Sequence, residues 1–203
     1  TTGDVRIEFY AAIKTAEPFL PAGTVIAREQ TYVHTFYKKE ATAQQPATSK
    51  EEGNLVAFSG PDFKATFDKQ SGLLTSYLYK KHEYILNGQG PRPFFWRAPT
   101  DNDYGANLPV RLKAWKEASY QEPKAESFQV TPGSNATTVK VTYRFPQTEA
   151  RWNITYKIYA SGVIKVDNRF MAEGDQAPMI PRVGLRMQLP ESFTDLTYYG
   201  RGP

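Results

Sequence analysis

Residues 94–105 read FFWRAPTDNDYG, and this stretch predicts a buried aromatic strand that presents a rigid polar loop at the surface. Pro99 fixes its own φ and biases the residue before it towards an extended conformation, so the strand should end there. The two acids and the amide at 101–103 can accept hydrogen bonds from nearby backbone N–H groups, and Gly105 permits a positive φ. Loops held by stiff scaffolds often carry function, but a well-capped structural turn is an equally good interpretation.

The composition is that of a globular protein with a modest positive charge. Hydrophobic residues make up 40% of the 203 residues, and 12 Phe, 13 Tyr and 3 Trp can supply much of a core. Because 25 basic and 21 acidic side chains are spread along the chain, the net charge of +4 does not predict nucleic-acid binding. The absence of cysteine excludes disulfides and leaves the compartment, cytoplasmic or periplasmic, undetermined. No apolar run approaches the ~18 residues of a membrane span, so we expect a soluble protein.

From residue 55 onwards, strand-like runs alternate with turns at short intervals. Val139, Val141 and Tyr143 alternate with polar residues, as do the apolar positions of 152–158, which is typical of strands with one buried and one solvated face. The segment 68–72 should form a hairpin turn with a left-handed glycine. Many short strands and a single helix predict a large antiparallel β-sandwich. The predicted strands are 55–59, 63–67, 73–79, 84–86, 94–97, 127–131, 137–145, 151–159, 163–170, 180–189 and 196–199.

One helix is predicted over residues 108–119. Asn107 can cap its N-terminus, and Pro109 suits its first turn. The apolar stripe is narrow, so the helix should be short and packed through Trp115. Its predicted buried face comprises Leu108, Leu112, Trp115 and Ser119.

Residues 1–37 contain two strand-like segments. Apolar and polar residues alternate over 5–10, and 24–37 is rich in β-branched and aromatic residues. Because two strands cannot bury their own faces, we interpret 1–37 as the end of a larger domain; the alternative is that these strands join the following sheet. Residues 38–54 show no apolar periodicity and are predicted to be an exposed linker.

The acidic motif is also a candidate calcium loop, because Asp101-x-Asp103-x-Gly105 is rich in oxygen ligands. An EF-hand requires an acid at the twelfth position, which is Leu112 here, so that site is excluded. A calcium site completed by distant carbonyls stays open.

Catalytic groups are scarce in this sequence. His34 and His82 are the only imidazoles, and neither has the neighbouring ligands or the Ser/Asp partner of metal or triad chemistry. Retaining glycoside hydrolysis needs two carboxyl groups about 5 Å apart across a sugar. Asp101 and Asp103 are better explained as turn acids that bond backbone amides.

Several motifs resemble the small-chain region of the large β-galactosidases of glycoside hydrolase family 2. RAPTDNDYG at 97–105 resembles the RAPxDNDxG signature of that family and is followed by Trp-Lys at 115–116. The segment 60–74 resembles the opening of the region, including its Ser-Gly-x-Leu pattern. Residues 181–185 and 199–203 resemble its R-x-G and Y-G-x-G-P strands.

The resemblance implies a final sandwich domain with a fold like galactose mutarotase. The large β-galactosidases have a jelly-roll domain, an immunoglobulin-like domain, a catalytic TIM barrel, a second immunoglobulin-like domain and this sandwich. By position, residues 1–37 would be the last strands of the second immunoglobulin-like domain, and 55–203 the first part of the sandwich. The expected fold is therefore all-β: an incomplete large antiparallel β-sandwich, preceded by the end of an immunoglobulin-like sandwich.

The resemblance also implies a retaining β-galactosidase that hydrolyses terminal β-galactosides such as lactose. The catalytic glutamates of the family lie in the TIM barrel and its substrate-stacking tryptophan lies downstream, so we expect no catalytic residue and no metal ligand in this chain. Magnesium and sodium are implied only for the full enzyme. The expected partners are the remaining domains of the enzyme, the galactoside substrate and further copies in a homo-oligomer; no nucleic acid or membrane is expected.

The resemblance places a loop at 101–107 beside the catalytic pocket. Gly105 matches the glycine at the base of a mobile loop that closes over substrate, and the residues before it match the segment that braces this loop. Arg97 is the expected anchor, through a bond to Asp101 or Asp103. The candidate rim residues are Asp101, Asn102, Asp103 and Gly105.

Two other functions stay open from the sequence. A free-standing carbohydrate-binding β-sandwich would stack sugar rings on exposed aromatic side chains, for which 94–96 and 198–199 are candidates. A purely structural domain would support oligomer assembly without touching substrate.

Overall fold

The structure is a computed structural model that describes residues 3–36, 46–174 and 178–197. It divides the chain into two compact units, Thr1–Ala41 and Thr42–Pro203. Antiparallel strands dominate both units, which confirms the prediction of an all-β fold.

The first unit is a long antiparallel hairpin. Its strands, β1 (Gly3–Ala12) and β2 (Val25–Phe36), form a two-stranded sheet of their own, so the alternative in which they join the following sheet is wrong. The apolar side chains of β1 are exposed, with Ile7 49% and Phe9 57% accessible. Within this unit, the described residues provide no second layer to cover them.

The second unit contains two larger antiparallel sheets. Its strands are β3 (Thr48–Glu52), β4 (Leu55–Ser59), β5 (Phe63–Asp68), β6 (Leu74–Tyr79), β7 (His82–Glu83), β8 (Arg92–Phe94), β9 (Ser127–Thr131), β10 (Thr137–Phe145), β11 (Ala150–Ile158), β12 (Ile164–Ala172) and β13 (Gly184–Arg186). One sheet has the order β3-β4-β5-β6-β7 and the other β12-β11-β10-β9, while β8 pairs with β13. These sheets confirm the predicted sandwich.

Three short helices lie in the described part of the second unit. They are α1 (Asp101–Gly105), α2 (Leu108–Arg111) and α3 (Lys113–Tyr120), and 3₁₀ turns lie at Leu86–Gly88 and Pro146–Thr148. None of the helices in the described ranges is long and apolar enough to cross a bilayer.

The core forms where the inner faces of the two larger sheets meet. On β10, the predicted inward residues Val139, Val141 and Tyr143 are buried. The ring centroid of Phe67 on β5 lies 5.0 Å from that of Tyr156 on β11, which joins the two layers. The predicted hairpin turn between β5 and β6 is also confirmed, because Gly72 takes a φ of +74° there.

Phe95 is the centre of an aromatic cluster that joins the four-stranded sheet to α3. The side chain is fully buried. Its ring centroid lies 4.7 Å from that of Trp115 on α3 and 5.3 Å from that of Trp152 on β11. Its backbone N–H donates a hydrogen bond of 2.9 Å to Ser119 Oγ. This cluster fixes the position at which the chain emerges towards Arg97.

The predicted linker over 38–54 is partly a strand. The side chains of β3 are exposed, as expected, but its backbone pairs with β4 through a two-residue turn in which Gly53 has a φ of +59°. The Gly-Asn pair at 53–54 is the sequence signal for this turn. The charged side chains of β3 suit an edge strand, because they discourage pairing with another chain. Residues 37–45 lie outside the described residues.

Four predicted strands are shorter in the structure or absent from it. The predicted strand 84–86 is followed by positive φ values at Asn87 and Gly88, which lead the chain into a 3₁₀ turn. The predicted strand 94–97 shares only Phe94 with β8, which begins two residues earlier, and the predicted strand 180–189 is reduced to β13; β8 and β13 pair with each other over only three residues. A run of strand-forming residues does not reveal where its partner ends, which explains the difference. The segments concerned are 84–86, 94–97, 180–189 and 196–199, of which 198–199 lies outside the described residues.

The single helix predicted over 108–119 is two helices. They meet at Leu112, whose φ of −109° and ψ of 20° interrupt the helical path. Asn107 stands at the N-cap position but has a left-handed φ of 54° and makes no cap hydrogen bond with its side chain in the described structure, so the predicted capping role is wrong. The predicted buried face is confirmed: Leu112, Trp115 and Ser119 are buried, and Leu108 is half-buried.

Replacing Phe95 by alanine should lower the free energy of unfolding by about 3–5 kcal/mol, because it opens a cavity inside the aromatic cluster. Urea denaturation of the wild type and the variant measures this loss. Phe193 is 40% exposed, and Phe193→Ala, the matched control, should cost far less. Equal losses for the two variants would contradict the central position of Phe95.

Candidate functional site

The acidic motif forms the short helix α1 and not the predicted loop. Thr100 is its N-cap, with an extended φ of −92° and ψ of 171°. Thr100 Oγ1 accepts a hydrogen bond of 3.4 Å from the Asp103 N–H, and Asp103 Oδ2 accepts one of 2.8 Å from the Thr100 N–H. This reciprocal pair is a capping box. Its sequence signal, a threonine followed three residues later by an acid, is missed when the motif is interpreted as a series of Asx turns.

Arg97 clamps α1 to the segment that precedes it. Its Nη1 donates to Asp103 Oδ2 at 2.5 Å, and its Nη2 donates to Oδ1 at 2.8 Å. The side chain of Asp103 is only 11% exposed, whereas that of Arg97 is 41% exposed. A bidentate pair of this kind fixes orientation as well as distance. Of the two acids considered as partners of Arg97, the structure pairs Asp103, while Asp101 lies exposed.

The clamp holds Asp103 in its charged form. The hydrogen bonds from Arg97, followed by that from the Thr100 N–H, lower the pKa of Asp103 from 3.8 to about 2. Its Oδ2 also lies 3.1 Å from the Thr100 hydroxyl, so the carboxylate is surrounded by donors. A carboxyl group that is ionised and occupied in this way cannot serve as a general acid near neutral pH. Asp103 is therefore a structural acid.

The other predicted rim residues lie on the exposed side of α1. Asp101, Asn102 and Gly105 are all exposed. Gly105 lies in the last turn of the helix and does not adopt the positive φ that glycine permits. A Cβ at this position would meet no atom within 4 Å. An alanine therefore fits at Gly105 without steric conflict.

An apolar cleft of about 110 Å³ adjoins the clamp. Arg97 and Asp103 form its polar edge, and Trp96, Leu112 and Ile180 contribute to its apolar walls. Residues of α1 and residues of the buried core line this cleft together, so the clamp lies directly beside the core.

The aromatic residues at 94–96 belong mainly to the interior. Phe95 is fully buried and Trp96 is 7% exposed. Their rings are therefore not available for stacking on a sugar, which removes one basis for the carbohydrate-binding alternative. The other aromatic candidates, at 198–199, lie outside the described residues.

The described part of the chain shows no cluster of metal-ligating side chains. It contains no group of three or more His, Cys, Asp or Glu side chains that could hold an ion. Asp103 is occupied by Arg97 and Thr100, which also weighs against the candidate calcium loop. His34 and His82 are both exposed.

Comparison with known proteins identifies the family. Residues 59–203, which include α1 and the clamp, match the family described as beta galactosidase small chain. This chain belongs to the β-galactosidase small chain family. The match confirms the resemblance to the C-terminal, small-chain part of β-galactosidases.

Individual β-galactosidases are similar to this small-chain protein. It is 33% identical over 162 residues to a β-galactosidase of Priestia megaterium, which covers 79% of this chain and 15% of that protein. It is 30% identical over 205 residues to a β-galactosidase of Lactobacillus delbrueckii subsp. bulgaricus, a match that covers 99% of this chain and 20% of that protein. It is 29% identical over 167 residues to a β-galactosidase small subunit of Latilactobacillus sakei, a match that covers 71% of this chain and 51% of that protein. The chain thus spans a small part of the first two relatives and about half of the third.

Asp103 should make the stability of the second unit depend on pH in acid. Its pKa in the folded chain, about 2, is below the ordinary value of 3.8. The ionised side chain therefore stabilises the fold above about pH 4, and this contribution is lost as the pH falls from about 4 to about 2. Urea midpoints between about pH 2 and pH 6 should fall less steeply in Asp103→Asn than in the wild type.

Asp101→Asn is the matched control for this measurement, because Asp101 lies on the same helix and is exposed. It should keep the wild-type profile. Parallel profiles for the wild type and Asp103→Asn would show that the clamp does not stabilise the fold.

Proposed function

We propose that this chain is a non-catalytic part of a retaining β-galactosidase of glycoside hydrolase family 2, and that α1 lies at the rim of the active site. The parent enzyme hydrolyses terminal β-galactosides such as lactose. The observation that carries the proposal is the clamp between Arg97 and Asp103 on the RAPTDNDYG motif. It holds a polar helix rigidly at the surface of a chain that belongs to the β-galactosidase small chain family.

The reacting groups of the proposed enzyme come from outside this chain. Retaining hydrolysis needs a nucleophilic carboxylate and an acid/base carboxyl group about 5 Å apart. Asp103 is occupied by the clamp and Asp101 is exposed on α1, so these two acids are not such a pair. We assign the catalytic glutamates, and the magnesium and sodium ions of the parent enzyme, to its remaining domains, with the glutamates in a TIM barrel.

In the proposed enzyme, α1 contributes through its position at the active-site rim and supplies no reacting group. Its first turn is held by the capping box and by Arg97, whereas its last residue, Gly105, meets no neighbouring atom at its Cβ position. The helix is therefore held by side-chain bonds at its N-terminal end, while open space surrounds the Cβ position of its last residue. Such an arrangement suits a segment that closes over a bound sugar and opens for product release.

The β1–β2 hairpin supports the proposed domain order. Its exposed apolar side chains, including Ile7 and Phe9, are those of strands that pack in a larger sandwich. We assign residues 1–37 to the end of an immunoglobulin-like domain of the parent. Its oligomeric assembly and its contacts with the barrel are part of the same proposal.

The 203-residue chain alone should not hydrolyse a nitrophenyl β-galactoside, because the two acids of the motif, Asp101 and Asp103, do not form a catalytic pair and we assign the reacting glutamates to other domains. The chain is produced in a host without β-galactosidase, and product release is followed at the concentration at which the parent enzyme gives a clear signal. Hydrolytic activity that co-purifies with the chain would contradict the proposal.

In the parent enzyme, Gly105→Ala should change kcat by about two- to fivefold, because an alanine stabilises the helical form of the last turn by about 0.5–1 kcal/mol relative to glycine. Steady-state kinetics with a nitrophenyl galactoside measure the effect.

Asp101→Ala serves as the comparison variant, since it removes a favourable first-turn acid and loosens the other end of α1. Unchanged kcat and KM in both variants would remove α1 from the mechanism.

A further inference from the structure

A second polar site lies away from α1, where β8 pairs with β13. The register places Arg92 directly opposite Arg186. Opposed side chains of an antiparallel pair project from the same face with their Cβ atoms about 5 Å apart, and like charges at such positions destabilise the pair. The pairing therefore requires a contact that offsets the repulsion.

Arg92 is buried, and part of its guanidinium group lacks a partner. The residue is only 9% exposed. Its Nη2 donates to the backbone carbonyl of Gln121, and its Nη1 donates to Gln89 Oε1 at 3.4 Å. Its Nε is buried and has no hydrogen-bond partner among the described residues. The ion pair with Glu122 is long, at 3.9 Å, and the Glu122 side chain is 79% exposed, so it offsets little of the charge.

Arg186 is held in place by aromatic rings. Its guanidinium carbon lies 5.3 Å from the ring centroid of Phe94 and 5.9 Å from that of Tyr120. These cation–π contacts orient the side chain but use the face of the guanidinium group, not its N–H donors. In the part of the chain that the structure describes, no carboxylate forms an ion pair with Arg186.

The two arginines line the same cleft, which has a volume of about 180 Å³. Gln89 and Gln188 form part of its wall. The Gln188 N–H donates to the Gln89 carbonyl at 2.9 Å, and the Leu86 N–H donates to the Gln188 carbonyl at 2.9 Å, so this wall is fixed by backbone hydrogen bonds. The cleft thus combines two guanidinium groups and two side-chain amides on a rigid frame.

We propose that this cleft is an anion-binding site in which a carboxylate or phosphate group bridges Arg92 and Arg186. The planar guanidinium fork matches the oxygen atoms of both groups and can donate two parallel hydrogen bonds to them. The bound anion would accept the unused Nε–H of Arg92 and offset the repulsion between the two positive charges. This site is separate from α1 and does not depend on the proposed β-galactosidase function.

The Arg Nε–Hε resonances of the 203-residue chain, labelled with ¹⁵N-arginine, report on this site directly. Sodium phosphate and, in a parallel series, sodium acetate are titrated at constant ionic strength. The Arg92 resonance should shift and saturate with at least one of them. Tighter binding of phosphate identifies a free oxyanion as the ligand, and tighter binding of acetate identifies a carboxylate.

Arg186→Gln is the test variant, because Arg186 is exposed and its replacement does not empty the core. Affinity for the better anion should fall by about tenfold or more, since one of the two charged forks is lost. Arg169→Gln, on the exposed surface of β12, is the matched control and should keep the wild-type affinity. The proposal is overturned if neither anion gives a saturable shift, or if the two variants bind equally well.

Discussion

The burial of Phe95 among the rings of α3 and the four-stranded sheet is the contact on which the proposed site depends. Its ring contacts both Trp115 and Trp152, at 4.7 and 5.3 Å between centroids. Because Phe95 is two residues before Arg97, this packing fixes the point from which the guanidinium group reaches Asp103. The helix α1 is therefore anchored to the core of the sandwich through one short segment of chain.

The parts of the fold that depend on alternation could be predicted from the sequence, and those that depend on local hydrogen bonds could not. Val139, Val141 and Tyr143 alternate with polar residues, and burial follows that pattern because a strand has only two faces. At Thr100, by contrast, the same polar residues suit either a loop or a helix start. The helix start is favoured by the reciprocal hydrogen bonds between Thr100 and Asp103 and by the bond from Arg97 to Asp103. The sequence places these residues near one another but does not give their geometry.

Two arginine sites in this chain show how the partner determines the role of a buried or half-buried guanidinium group. Arg97 finds its carboxylate within the chain, and the result is a rigid structural clamp. Arg92 faces Arg186 across a strand pair and keeps a buried Nε without a described partner. Neither role is visible in the composition, because the net charge is small and does not show which arginines have a carboxylate partner. The first site is the basis for the proposed position at a catalytic rim, and the second is the basis for the proposed anion site.

The position of α1 in the parent enzyme is the most direct test of this account. A structure of the whole parent β-galactosidase with a galactoside analogue bound, determined by electron cryomicroscopy, shows which residues border the sugar. The account predicts that α1 stands at the mouth of that pocket, with Arg97 and Asp103 still paired and the reacting carboxylates supplied by another domain. A sugar bound far from α1, or contacted by a catalytic acid of this chain, would contradict it.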